Sequence, residues 1–292
     1  MHTMSINPTH ALVTGATNQI GHFLLPRLQQ AGWEITAISR HPPLHSTHWQ
    51  QLDLRGAHLS ILKPTVLFHI APLGLLPDLL VQLPDDAPLL RVITFSSTSR
   101  FTKLNSPNPK EQQVVTELTQ AEENIIEQCQ RRQLPYTLFR PTLVYGCGLD
   151  KNISFIVQFI QRFGFFPLVG KGNGLRQPVH ADDLALACLQ VVNNKATFDK
   201  SYNLSGGQTL SYRAMVEHIF YVLHKKPRII TIPERLFSFL ANSIRIFPAF
   251  RHLSGTMVTR MKQDLCFSYT EASDDFAYQP RAFVGSQFLT EA

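Results

Sequence analysis

Between Ala11 and Arg40 the chain runs through an apolar stretch, a glycine turn, a segment of helical spacing, a stop at Gly32 and a second apolar stretch, EITAIS. That order is one strand–helix–strand unit. Further apolar runs follow at 65–71 (TVLFHIA), 91–97 (RVITFSS) and 136–146 (YTLFRPTLVYG), with helical spacing over 111–132. Strands alternating with helices predict an α/β fold, a doubly wound parallel sheet covered on both faces. After residue 150 the regularity breaks into the helical stretches ISFIVQFIQRF and ADDLALACLQVV, glycine-rich loops, and prolines at 227, 233, 248 and 280. The expected division is a core over 9–150 and a smaller mixed region over 151–292, interleaved with it.

With 292 residues, 44% hydrophobic and 16% charged, the chain can bury a full core, which excludes a disordered class. Its cysteines, Cys129, Cys147, Cys188 and Cys266, are far apart and form no CxxC pair. Neither a zinc ribbon nor a disulfide scaffold is suggested, and all four read as buried thiols of a reducing compartment. The start, MHTMSINPTH, lacks the order of a secretion signal, and no run of about 18 apolar residues could span a bilayer, so a cytoplasmic location is expected. The net charge of +6 comes without dense basic runs: QRRQ and HKKPR are too short to imply a nucleic-acid partner and read as solvated helix ends. Six histidines, His2, His10, His22, His41, His45 and His48, crowd the first fifty residues, but HPPLHSTH offers no cysteine or acidic partner and no metal is expected there.

The stretch LVTGATNQIG carries the first chemistry. A turn that holds a dinucleotide must reverse tightly, bring backbone close to the pyrophosphate, and pack its helix on the strand. Gly15 and Gly21 take the outer positions and Asn18 the middle one. Asn tolerates positive φ better than other residues with a side chain, so the turn is expected to form. The N–H groups of Asn18, Gln19 and Ile20 are then expected to point at phosphate from a helix N-terminus. At the end of the second strand stand Ser39 and Arg40 rather than an acidic residue, which favours NADP(H) over NAD(H). Asp53, with Leu54 beside it in LDL, follows the next apolar stretch, where a carboxylate would accept from the adenine amino group; a surface turn is its other use.

In order and spacing, VTGATNQIG, FSSTS, LFRPTLVYGCG, GKGNGLRQPVHADDLALA and YNLSGGQTLSYRAMVEHI resemble the extended short-chain dehydrogenase/reductase superfamily of NAD-dependent epimerases and dehydratases, over most of the chain to about residue 220. The resemblance implies a Rossmann-like fold and a nicotinamide dinucleotide, held by Gly15, Asn18, Gln19, Ile20, Gly21, Ser39, Arg40, Asp53, Leu54, Ala71, Pro141 and Thr142. It also implies a small-molecule substrate bordered by Thr98, Tyr145, Arg176 and His180, with Arg176 on a diphosphate.

In catalytic members of that superfamily a Tyr exchanges the proton and a Lys four residues later lowers its pKa. Their expected places are Val114 or Val115 and Leu118 or Thr119. No Tyr precedes Tyr136 and no Lys lies between Lys110 and Lys151; the YVLHK at 221–225 falls outside the cofactor half. Leu143 also replaces an Asn that contacts sugar nucleotides in many members. Thr98 keeps the hydroxyl that assists the Tyr and is the candidate catalytic residue, with Lys103, Glu111, Tyr145 and His180 as nearby groups. Two readings stay open: an atypical oxidoreductase or epimerase on a sugar-like or carbonyl substrate, and a non-catalytic accessory or sensor protein that keeps the dinucleotide as a ligand. The amphipathic cationic stretch 233–253 is suited to a membrane surface or a lipid-like substrate, and equally to covering the pocket or making a homodimer contact.

Overall fold

The computed structural model describes residues 10–43, 48–56, 58–234 and 261–283. β1 (His10–Thr14), buried at every position, ends at Gly15, whose φ of +72° turns the chain toward α1 (Gln19–Gln30). The amides of Gly15 and Ala16 donate to the Ile38 carbonyl at 3.1 and 3.2 Å, tying this turn to β2 (Glu34–Ser39). A Cβ on Gly15 would stand 2.6 Å from both Cα and N of Ala71, so space as well as φ demands glycine. Gly32, which stops α1, has φ +78° and open space around it. Alanine at each position separates the two costs: Gly15→Ala is expected to lose about 2 kcal/mol more than Gly32→Ala in urea unfolding. Equal losses would show that the backbone at Ala71 gives way freely.

The described residues form two compact units, one of those up to Pro141 with Ala181–Leu204 and Ser268–Gln279, the other of the described residues within Thr142–His180, Ser205–Phe267 and from Pro280 on. The expected boundary at 150 is corrected to Pro141, and helix 181–191, expected in the second region, belongs to the first unit. The run 136–146 hides this junction because apolar residues continue on both sides of it.

The first unit holds a seven-stranded parallel sheet. After β1 and β2 come β3 (Trp49–Gln51), β4 (Thr65–His69), β5 (Leu89–Phe95) and β6 (Tyr136–Pro141). The second unit supplies β7 (Val144–Tyr145), β8 (Phe166–Val169), β9 (Leu175–Arg176) and β10 (Val179–His180), and the chain returns to the first for β11 (Lys200–Leu204). The order across the sheet is β11-β6-β5-β4-β1-β2-β3, so the strand order reverses beside β1 and the loop after it opens at the carboxyl edge. His10 pairs with Glu34 on one side and Thr65 on the other, which fixes the register of the centre. The helices of this unit are α1, α2 (Leu76–Gln82), α3 (Ser99–Thr102), α4 (Pro109–Arg131), α6 (Ala181–Val191) and a closing helix Thr270–Phe276, with α5 (Ile153–Phe163) falling in the second.

Arg91, wholly buried on β5, is the interior cation of this unit. Its Nη1 donates to the Val192 carbonyl and its Nη2 to the Thr137 and Thr197 hydroxyls, each at 2.7 Å, while its guanidinium lies 4.1 Å over the Phe198 ring. Burial pulls it down to about 10, still far above neutrality. The closing helix docks on the edge strand β11: Tyr202 Oη donates to Asp275 at 2.6 Å, Lys200 pairs with the same carboxylate, and Phe276 packs on Tyr202 and Phe139.

In the second unit β7 pairs β10, β9 pairs β12 (Leu210–Ser211) and β8 pairs β13 (Ile229–Ile232). α5 and α7 (Tyr212–Val222) close over an apolar core that includes Ile156, Phe159, Phe166, Met215, Phe220 and Phe283. Asp150 Oδ1 accepts from the amides of Asn152, Ile153 and Ser154 to start α5, and Gly164 ends it with φ +74°. No helix of the described residues is long and apolar enough to cross a membrane. Most of the 233–253 stretch, and His2 and His45, lie outside the described residues.

Candidate functional site at the carboxyl edge of the sheet

Four loops meet at the carboxyl ends of the first unit's strands: 15–18 after β1, Ser39–Arg40 after β2, 70–72 after β4 and 96–98 after β5. Gly21 is held by packing, since a Cβ there would fall 2.1 Å from the Ala16 carbonyl oxygen. Ser39 Oγ lies 3.0 Å from Thr17 Oγ1 and accepts from the His41 amide, which joins the ends of β1 and β2. Arg40 is exposed, and among the described residues no carboxylate pairs with its guanidinium. Asp53 is exposed and caps a turn by accepting from the Arg55 amide at 3.1 Å, while Leu54 beside it is buried.

Asn18 corrects an expectation. Its φ is −78° and ψ 173°, so it takes extended backbone and not the positive φ assumed for it. It is the N-cap of α1: Oδ1 accepts from the amides of Ile20 and Gly21, both at 2.9 Å, and Nδ2 donates to the Ile70 carbonyl. Of the three amides expected to face phosphate, that of Asn18 donates to Gly15 O and that of Ile20 to Asn18 Oδ1, leaving Gln19. Capping and positive φ draw on the same residue type, and the sequence alone does not separate them.

Beneath the loop, His69 is fully buried. Its Nδ1 lies 2.8 Å from Thr14 Oγ1 and its Nε2 3.2 Å from the Pro72 carbonyl, which only accepts. The ring is therefore the Nε2–H tautomer, with Nδ1 accepting from Thr14. Burial pushes it down to about 4, so it stays neutral near pH 7.

At the end of β5, Thr98 is 6% exposed and both its amide and its hydroxyl donate to the Pro141 carbonyl at 3.1 Å. The proton expected to polarise a substrate is committed to backbone. Ser96 Oγ donates to Glu122 Oε1 at 2.5 Å; Arg140 forks onto the same carboxylate, with Nη2 at 2.6 Å, and Arg100 pairs with it too. Burial alone would raise the Glu122 carboxyl, but hydrogen bonds from Arg140 and Ser96 and the charges of both arginines hold it below the usual carboxylate range. The sequence reading missed this cluster; its signal was one acid inside the otherwise apolar buried stripe of Val115, Ala121, Ile125 and Cys129 on α4. One and two turns before Glu122 on that face stand Leu118 and Val114, half-buried, where the superfamily's Lys and Tyr were sought.

The other expected substrate contacts belong to the second unit and are all buried. Tyr145 has no exposed surface: its ring packs edge-on against His180 at 5.0 Å and Phe283 at 5.1 Å, and no atom of it is available to a substrate. His180 is 2% exposed. Arg176 is 5% exposed, and its Nη1 donates to the Leu175 and Gln263 carbonyls at 2.6 and 2.8 Å. Thr142 Oγ1 donates to Gln177 O at 2.5 Å, and Pro141 and Ala71 are buried. Lys103 is half-buried, and Glu111 accepts from Ser106 at 2.6 Å. Cys129 and Cys188 are buried, with the Cys129 thiol pushed up to about 12, but Cys147 and Cys266 are only half-buried, which corrects the expectation for those two. Among the described residues no group of three His, Cys, Asp or Glu side chains is placed to hold a metal.

The uncharacterized protein y4nG of Sinorhizobium fredii (strain NBRC 101917 / NGR234) is 25% identical over 311 residues, spanning 96% of this chain and 77% of its own length. The Arabidopsis thaliana NADH dehydrogenase (ubiquinone) 1 alpha subcomplex subunit 9, mitochondrial, is 26% identical over 98 residues, 33% of this chain and 24% of that protein. The solved structure of MoeE5 in complex with UDP-glucuronic acid and NAD shares the fold with a TM-score of 0.71 at 20% identity, covering 97% of both chains. A model of the NAD dependent epimerase/dehydratase family matches residues 11–78 and 91–205, more than half of the sequence, and the chain belongs to that family.

Proposed function

We propose that the chain binds a nicotinamide dinucleotide, NADP(H) in preference to NAD(H), at the loops after β1, β2 and β4, and holds it without the proton chemistry of catalytic relatives. The turn fits such a ligand, with Gly15 at φ +72° against Ala71 and Gly21 against Ala16. Arg40 fits a 2′-phosphate, with Ser39 beside it and no acid at the end of β2. MoeE5, which shares the fold, holds NAD together with UDP-glucuronic acid, and a relative over a third of the chain is by its name a subunit of an NADH dehydrogenase.

The observation that carries the held-ligand reading is the face of α4. Where proton transfer needs a phenol and an ammonium, Val114 and Leu118 present hydrocarbon, and the Thr98 hydroxyl donates to Pro141. Hydrocarbon supplies neither an acid nor a base.

The test pairs binding with turnover. Fluorescence titration is expected to show NADPH bound more tightly than NADH, and Arg40→Ala to weaken NADPH by roughly tenfold, the worth of one charge-assisted contact, while leaving NADH unchanged. Assays for NADPH oxidation and for epimerised product with UDP-sugars and simple carbonyls are expected to show no turnover. Rates on the order of 10 per second would remove the held-ligand reading in favour of an atypical epimerase or oxidoreductase. Equal affinities for the two cofactors would remove the assignment of Arg40.

A further inference from the structure

The first turn of a helix leaves its leading amides without intrahelical partners, and that is what lets such a turn accept phosphate. In this chain most of them are already taken. Ile20 and Gly21 donate to Asn18 Oδ1 at 2.9 Å, and the Asn18 amide donates to Gly15 O at 3.0 Å. The other end of the same carboxamide donates to the Ile70 carbonyl, so the side chain bridges the start of α1 and the end of β4. The middle glycine of the dinucleotide turn exists so that backbone can approach the pyrophosphate closely. Here the amides of Ile20 and Gly21 already have an acceptor supplied by the chain itself.

We infer that Asn18 is a built-in competitor for the pyrophosphate and sets the affinity of the dinucleotide site. This rests on the dinucleotide reading above. For a phosphate oxygen to accept from Ile20 and Gly21, the Asn18 side chain must rotate away, giving up two accepted hydrogen bonds and the one it donates to Ile70. The ligand-free form is thus self-satisfied, and each binding event carries the cost of uncapping α1. The 2′-phosphate end, at Ser39 and Arg40, lies outside this competition.

Two substitutions at this position should move affinity in opposite directions, and the first should move ligand-free stability against affinity. Asn18→Gly removes the competitor and leaves an acceptable cap, so NADPH affinity is expected to rise about fivefold, equivalent to about 1 kcal/mol, while the ligand-free melting temperature falls slightly. Asn18→Asp keeps the accepting oxygen but sets a second carboxylate oxygen against the Ile70 carbonyl in place of the donor, and adds a negative charge where phosphate would bind, so NADPH affinity is expected to fall at least about tenfold. Adenosine 2′-monophosphate, which lacks the pyrophosphate, should bind all three proteins equally. A purely structural cap would instead lower stability and affinity together in Asn18→Gly, and that result, or unchanged NADPH affinity, overturns the inference while wild-type binding keeps the dinucleotide reading intact. If neither wild type nor Asn18→Gly binds NADPH or NADH while both melt cooperatively, the dinucleotide reading falls and the competitor role with it.

Discussion

Replacing Glu122 by Gln is expected to destabilise the protein by about 3 to 5 kcal/mol, because it leaves the charge of Arg140 buried against a neutral amide. The carboxylate has no exposed side-chain surface, while the Arg140 and Arg100 side chains retain 15% and 24% exposure. Arg100 can turn to solvent, whereas Arg140 is held by β6. Most of the loss should therefore come from Arg140, and Glu122→Met combined with Arg140→Met should recover much of it, since a well-packed apolar pair often replaces a buried ion pair at little net cost. Urea unfolding of Glu122→Met, Arg140→Met and the double variant forms the cycle; a double variant as unstable as the sum of those singles would show that the pair is not coupled. The carboxyl is held low in the folded state, so its contribution is present above its unfolded pKa and is lost as pH falls below the ordinary carboxylate range.

A second loss on acidification is expected at higher pH, from His69. Its folded value of about 4 lies below its unfolded 6.5, so the unfolded chain binds the proton first. The stability linked to the neutral ring is complete above pH 6.5 and disappears as pH falls from there toward 4, by about 3 kcal/mol in all. Equilibrium unfolding at pH 7.5, 6, 5 and 4.5 should trace this loss. His69→Asn, which is less stable at pH 7.5, should lack that part of the pH dependence. An unchanged slope in His69→Asn would place the titration elsewhere, with His10, also lowered by burial, as the next group to replace.

These two residues mark where the sequence stops being readable. The central strands were legible because each is a short apolar run: TVLFHIA became β4 over 65–69, EITAIS is β2, and the helical spacing at 111–132 became α4 over 109–131. The edge strands β3 and β11, WQQ and KSYNL, carry too few apolar residues to register, as suits strands with one open side. In the candidate site the glycine turn was legible, because the positive φ of Gly15 and the close packing of Gly21 restrict the residue type. Glu122, His69 and Arg91 were not, because one polar residue in an apolar stretch shows its partners only after strands from distant parts of the chain have been aligned. Asn18 was expected at positive φ and is instead a helix cap in extended backbone.

The hydrogen bonds of Arg91 bear on the order in which the protein can be made. Its partners at Thr137, Val192 and Thr197 span the point where the chain leaves the first unit at Pro141 and the segment where it comes back. A nascent chain that has emerged only as far as β6 holds an interior guanidinium with one of its three acceptors, and a sheet whose β6 edge lacks β11. The amino-terminal sheet is therefore not complete when β6 has emerged. It waits for segments 181–204 and 268–279, so that the last helix translated among the described residues seals the first unit begun.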